Sequence, residues 1–152
     1  MTTLDGRTAS EVVDALGLEY LDGEGVWIKV LWRNDHGSAI YGFLTPDDFS
    51  ALHVLREDEL WVHVAGAAVD MLLLHPDGRH ETRTLGTDVD RGQSPAVLVP
   101  AATWQGSRTT GEWSLVVCSL APPFSGFTLA DRSTDFTAWP EAAGVIGGLI
   151  RG

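Results

Sequence analysis

Between Gly25 and about Leu129 the chain breaks into short segments rich in β-branched and aromatic residues. They run Val26–Trp32, Ser38–Leu44, Ala51–Leu55, Glu59–Ala65, Val69–Leu74, His80–Leu85, Ala96–Val99, Thr103–Ser107 and Trp113–Leu120. Turn signals part them: Asn34-Asp35-His36-Gly37, Thr45-Pro46-Asp47-Asp48, Pro76-Asp77-Gly78 and Thr110-Gly111. Proline presets one turn angle and glycine accepts a positive φ, so Pro76-Asp77-Gly78 is a hairpin signal. Many short strands at close spacing must pair with one another and bury one face each, which predicts an all-β sandwich or barrel. With no internal repeat and no linker, residues 1–152 form one domain.

Helical patterning is confined to the ends. Thr8-Ala9-Ser10-Glu11 has capping-box spacing, the Thr8 hydroxyl and Glu11 carboxylate each meeting the other's free amide. Val12, Val13 and Leu16 then suit a short helix ending near Gly17. Near the C-terminus, Pro140 fits a first helical position, and Val145, Ile146, Leu149 and Ile150 recur at helical spacing. Gly147 and Gly148 weaken that helix, which therefore depends on packing against the barrel.

Composition excludes some partners. A formal net charge of -11 repels phosphate backbones and anionic lipid, so neither nucleic acid nor membrane is expected. Cys118, the single cysteine, permits no intrachain disulfide and reads as a small buried hydrophobe. The polar stretch Met1 to Arg7 lacks the apolar core of a signal peptide, and the expected compartment is the cytoplasm.

The chemistry-bearing residues lie in two segments. His53 to Gly66 reads H-V-L-R-E-D-E-L-W-V-H-V-A-G, and Gly92 to Gly106 reads G-Q-S-P-A-V-L-V-P-A-A-T-W-Q-G. The first resembles cupin motif one: His53, Glu59 and Gly66 match, while Leu55 stands where a second histidine would be. The second resembles cupin motif two: Pro100 and Ala101 match, Ala102 replaces the glycine and Gln105 the histidine. A longer ordered series is similar to the cupin 5 (DUF985) family. It comprises Glu24-Gly25-Val26-Trp27, Ser38-Ala39-Ile40-Tyr41-Gly42-Phe43-Leu44, Asp58-Glu59-Leu60-Trp61, Leu85-Gly86-Thr87-Asp88, Gly92-Gln93-Ser94-Pro95, Val99-Pro100-Ala101, Trp104-Gln105 and Cys118-Ser119-Leu120-Ala121-Pro122. The chain departs from that family where Val62 replaces a histidine, His63 follows in place of an aromatic, and Lys29 replaces an arginine.

The resemblance implies a jelly-roll double-stranded β-helix with short terminal helices, paired into homodimers, and a small-molecule ligand inside the barrel. Side chains along a strand alternate faces. If Glu59 points inward, as the motif implies, so do Trp61 and His63, joined by His53 and Gln105. A bulge in that strand would instead turn His63 outward. His53 and Glu59 are candidates for an acid–base pair. Lys29, Tyr41, Trp61, His63, Trp104 and Gln105 are candidate ligand contacts, with Arg33 joining Lys29 at the barrel mouth against an anionic group. Three functions stay open. One is a metal-independent isomerase, epimerase or lyase. The second is a metal-dependent oxygenase or lyase, with His53, Glu59 and His63 holding a divalent ion. The third is a module that binds a small ligand without chemistry. Leu55 and Gln105 remove two of the usual four metal donors, so the expectation is no cofactor or a weakly held divalent ion.

Overall fold

The computed structural model describes residues 3–151. Their strands are β1 (Glu19–Tyr20), β2 (Trp27–Asn34), β3 (Gly37–Leu44), β4 (Ser50–Val54), β5 (Glu59–Gly66), β6 (Val69–Leu74), β7 (His80–Leu85), β8 (Ala96–Val99), β9 (Trp104–Thr109), β10 (Ser114–Leu120) and β11 (Thr128–Leu129). They form two antiparallel sheets, in the orders β1-β2-β3-β10-β5-β8 and β11-β4-β9-β6-β7. Every strand expected from the sequence is present, with ends shifted by a few residues at most. The two-residue strands β1 and β11 carry too little periodicity to be read from sequence. The sheets face each other as the halves of a jelly roll, and their inner side chains make the core. Val69, Met71 and Leu73 of β6 meet Trp61 of β5, Val97 and Val99 of β8, and Val116 and Cys118 of β10.

Both outer faces receive a helical cover. α1 (Ala9–Leu16) begins at Thr8, whose Oγ1 accepts the Glu11 amide at 3.3 Å, and ends at Gly17 with φ 65°. The Glu11 carboxylate accepts from the Thr8 hydroxyl at 3.1 Å rather than from the Thr8 amide, so only the Thr8 half of the expected box forms. Val12 and Leu18 seal Phe43, Trp113 and Leu115 on the outside of the larger sheet. At the C-terminus a 3₁₀ turn, Pro140–Ala142, leads into α2 (Ala143–Gly147). Trp139, Ile146 and Leu149 pack on Leu52, Leu72 and Leu74, the outward set of the smaller sheet. That contact supplies the support two adjacent glycines withhold.

Alternation decides which candidates face inward. His53 of β4 pairs with Gln105 of β9, and Gln105 pairs with Leu73 of β6, so all three point between the sheets. Trp104, one residue earlier, pairs with Leu74 and joins the outer cluster, edge-on to Phe136 with ring centroids 5.4 Å apart. Tyr41 falls in the layer under α1, and Lys29, its partner across β2 and β3, is exposed on that same outer side. Three expected ligand contacts, Lys29, Tyr41 and Trp104, are therefore on the wrong face of their strands.

Candidate functional site

One half of the barrel interior is filled by the core; the other holds a cavity of about 200 Å³. Ile28 and Val30 of β2, Ile40 of β3, Leu55 and Leu120 form its apolar wall. Glu24, His53 and Glu59 line it and also a smaller space of about 30 Å³, which Trp61 and Cys118 border on the deeper side. The three ionisable groups thus sit at the floor of the larger cavity.

Each arrives by a separate structural device. His53 comes from the inward face of β4 and Glu59 from the first position of β5. Glu24 sits on the turn between β1 and β2. Gly25 has φ 93°, a conformation that costs other residues strain. The Glu24 carbonyl accepts the Ala51 amide at 3.0 Å. Arg151 stacks its guanidinium 3.9 Å from the Phe49 ring centroid and donates to the carbonyls of Phe49 (2.9 Å), Asp47 (3.1 Å) and Glu24 (3.4 Å). A residue next to the C-terminus therefore anchors the turn that delivers a site carboxylate.

Hydrogen bonds set the protonation pattern. His53 is 3% exposed, and its Nδ1 lies 2.7 Å from the Ala51 carbonyl oxygen. A carbonyl only accepts, so Nδ1 carries the hydrogen, and Nε2 is the ring nitrogen left to take or give a proton. That Nε2 is 3.8 Å from Glu24 Oε1, beyond a hydrogen bond but within strong Coulomb reach. Ser50 holds Glu24 by donating to its other oxygen at 2.6 Å.

Glu59 is 7% exposed. Its Oε1 accepts from Trp61 Nε1 at 3.1 Å and from Gln105 Nε2 at 3.0 Å, and Trp61 Nε1 also reaches Gln105 Oε1 at 3.0 Å. Burial pushes the Glu59 carboxyl above the usual carboxylate range. The His53 ring pulls it down, Glu24 pushes it up, and the two hydrogen bonds lower it, but burial prevails. With both donors on Oε1, a protonated Glu59 carries its hydrogen on Oε2, the oxygen those donors leave open. Burial, reinforced by Glu59 and Glu24, likewise holds the Cys118 thiol well above its usual value.

The mouth is shaped by the segment after β10. Phe124 and Phe127 wall the cavity, and Phe127 lies edge-on to His53 at 5.7 Å. The segment is tied down on three sides. Arg33 Nη1 donates to the Phe124 carbonyl at 2.7 Å, the Phe124 amide donates to Ser38 Oγ at 3.0 Å, and Ser125 donates to buried Glu57 through its amide (3.1 Å) and hydroxyl (2.9 Å). Arg33 itself lines the opening.

Sequence reasoning placed His53, Glu59, Trp61 and Gln105 in one interior, and they meet there. It also selected His63, which does not line the cavity. His63 pairs with Val116 on the inward side, but the register slips just beyond it, where Val64 bulges and Ala65 opposes Leu115. The His63 ring turns back to that end of the strand, its Nε2 3.2 Å from the carbonyls of both Gly66 and Ala67. Glu24, Phe124 and Phe127 were not selected. Glu24 was visible as a member of the Glu24-Gly25 motif, but nothing local marks a turn carboxylate as interior.

The divalent metal implied by the cupin motifs does not fit this donor set. Leu55 contributes only methyl groups to the wall, and the Gln105 amide is consumed by Trp61 and Glu59. His63 lies off the cavity, its Nε2 held at the Gly66 and Ala67 carbonyls. Glu24, His53 and Glu59 share the cavity floor, but among the described residues no three His, Cys, Asp or Glu side chains have the geometry to hold an ion.

Two antiparallel sheets rolled over a buried histidine–glutamate floor define a cupin barrel. The motif-two alanine even keeps the backbone of the glycine it replaces: Ala102 has φ 64°, and its amide bonds the Leu55 carbonyl at 2.9 Å. The chain belongs to the Cupin_5 family, cupin superfamily (DUF985), whose model matches residues 10–132. A crystal structure of a Shewanella oneidensis protein superposes with a TM-score of 0.88 at 28% identity, covering 95% of this chain and 98% of that one. A hypothetical protein from Leishmania major gives a TM-score of 0.86 at 24% identity, covering 96% and 100%. An E162A mutant of Bacillus subtilis oxalate decarboxylase shares the fold at a TM-score of 0.61 and 12% identity, covering 74% of this chain and 30% of that one. No curated protein matches the sequence. No helix among the described residues is long and apolar enough to cross a membrane.

Proposed function

We propose that the barrel interior binds a small molecule and moves a proton on it by metal-independent acid–base chemistry, as an isomerase, epimerase or lyase does. The observation that carries this reading is the pairing of His53 Nε2 and Glu59 Oε2. Both atoms have no hydrogen-bond partner among the described residues, both belong to buried side chains, and both groups line the same cavity. Burial favours the protonated form of Glu59, and the Ala51 carbonyl holds the hydrogen of His53 on Nδ1, leaving Nε2 as the acceptor. His53, held as the Nδ1–H tautomer, takes a proton from carbon next to a carbonyl. Neutral Glu59 donates its Oε2 proton to the carbonyl oxygen as the enol forms. Glu24 stabilises the imidazolium that results, from 3.8 Å away. Return of the proton to another position completes an isomerisation, and expulsion of a neighbouring group completes an elimination.

The test is Glu59→Gln. The amide preserves an acceptor for Trp61 and Gln105 but cannot donate a carboxyl proton. The variant is expected to bind ligand and to lose turnover by about 10²-fold or more. Retained turnover refutes the acid–base assignment. Equal binding by both proteins, with exchange of no carbon-bound hydrogen by either, points to a binding module without chemistry.

A further inference from the structure

The walls of the cavity constrain what it takes. Around the floor the lining is hydrocarbon: Leu21, Ile28, Val30, Leu55, Leu120 and the two phenylalanines of the mouth segment. Polar side chains occur only at its two ends, with Glu24, His53 and Glu59 below and Ser38 and Arg33 toward the opening. A polyhydroxylated ligand would press its middle hydroxyls against methyl groups and rings. Each hydroxyl buried without a partner costs about an order of magnitude in affinity. An apolar body loses nothing there and gains the burial.

Size and charge narrow the class further. The space is about 200 Å³. A dry apolar cavity of about 150 Å³ is enough for a benzene ring, so this one takes a compact ligand of one ring or a branched alkyl group plus a short functional chain. Arg33 is the one cationic side chain on the lining. Its Nη1 is used by the Phe124 carbonyl, and among the described residues no carboxylate pairs with it. The remaining guanidinium hydrogens can meet an anion entering between Phe124 and Val30. At the other end, Glu59, whose protonated form burial favours, offers one O–H to a carbonyl.

From this we infer that the substrate class is a compact monoanionic carbonyl compound with an apolar stretch between the carbonyl and the anion, such as a 5-oxo acid, and not a sugar acid. The carbonyl meets Glu59, the hydrocarbon lies against Leu55 and Phe127, and the carboxylate meets Arg33. The inference rests on the reading of the cavity as a ligand site, and its test separates the two.

The full-length protein is titrated calorimetrically with three probes: 5-oxohexanoate, hexan-2-one and galacturonate. The oxo acid is expected to bind, the ketone to bind about fivefold more weakly for want of the anion, and galacturonate to give no heat at the same concentrations. Arg33→Met should weaken the oxo acid by the same factor and leave the ketone unchanged, which separates loss of charge from loosening of the Phe124 segment. Galacturonate binding as tightly as the oxo acid, no binding of the oxo acid, or an Arg33→Met protein that holds the oxo acid undiminished overturns the inference. Proton NMR in D₂O then reports on the chemistry. Exchange of the hydrogens next to the carbonyl faster with wild type than with Glu59→Gln supports both readings. Binding with equal exchange leaves the ligand class standing and removes the proton transfer.

Discussion

Glu59 carries a stability cost that pH can switch on, and Glu59→Gln measures it. In the unfolded chain this carboxyl ionises at its ordinary value, whereas in the fold burial raises it above 4.5. Between those two points the folded state holds a proton that the unfolded state has released. Stability therefore falls as pH rises through that window, and the contribution of Glu59 is full only below the unfolded value. Each unit of elevation corresponds to about 1.4 kcal/mol. Glutamine keeps an oxygen for the Trp61 and Gln105 donors and has nothing to ionise, so its stability is flat across the window. We expect the variant to exceed wild type by about 0.5–2 kcal/mol at neutral pH, the usual gain from a single stabilising substitution. At roughly 2–4 °C per kcal/mol for a chain of this size, that is a rise of a few degrees in Tm. Urea melts at pH 4, 6 and 7.5 provide the assay, with the gap widening as pH rises. A variant less stable than wild type by the same amount at every pH would refute the reasoning. It would mean that the carboxylate is ionised and fully compensated by His53.

Trp61→Phe removes the indole donor that lowers the Glu59 carboxyl, so ¹³C-detected titration should show Glu59 rising further. The unpaired Gln105 oxygen should cost about 1–3 kcal/mol in urea melts. Leu73→Ala opens a hole between the sheets and should cost about 2–5 kcal/mol, measured the same way. Cys118 is buried, and its thiol resists ionisation, so a thiol reagent at pH 8 should label it only after denaturant is added. Homodimerisation, expected from the resemblance, is checked by light scattering at micromolar concentration, where a monomer mass would refute it.

The strand ladder was legible because its signals are local: β-branched runs, alternation and turn chemistry act within a few residues of one another. So was the helix from Ala9 to Leu16, whose cap and glycine stop lie within ten positions of each other. The inward set His53, Glu59, Trp61 and Gln105 followed from two motifs and period-two alternation. The same alternation, applied without knowing which face was covered, misplaced Lys29, Tyr41 and Trp104. Those residues look like pocket walls in sequence, but helical covers made their faces an outer core or left them to solvent. His63 failed for a different reason. A single bulged residue, Val64, ends the regular register beside it, and a bulge arises from how two strands pair.

The sequence by itself therefore determined the barrel and the placing of His53 and Glu59 at its floor, since short-range pattern suffices to choose strands and their inward faces. Tertiary structure alone decided how the site is completed. Glu24 comes from a turn anchored by Arg151, more than a hundred residues away in sequence, and Phe124 and Phe127 come from a segment tied to Arg33, Ser38 and Glu57. Such contacts depend on where the chain returns in space, and no local periodicity encodes that return.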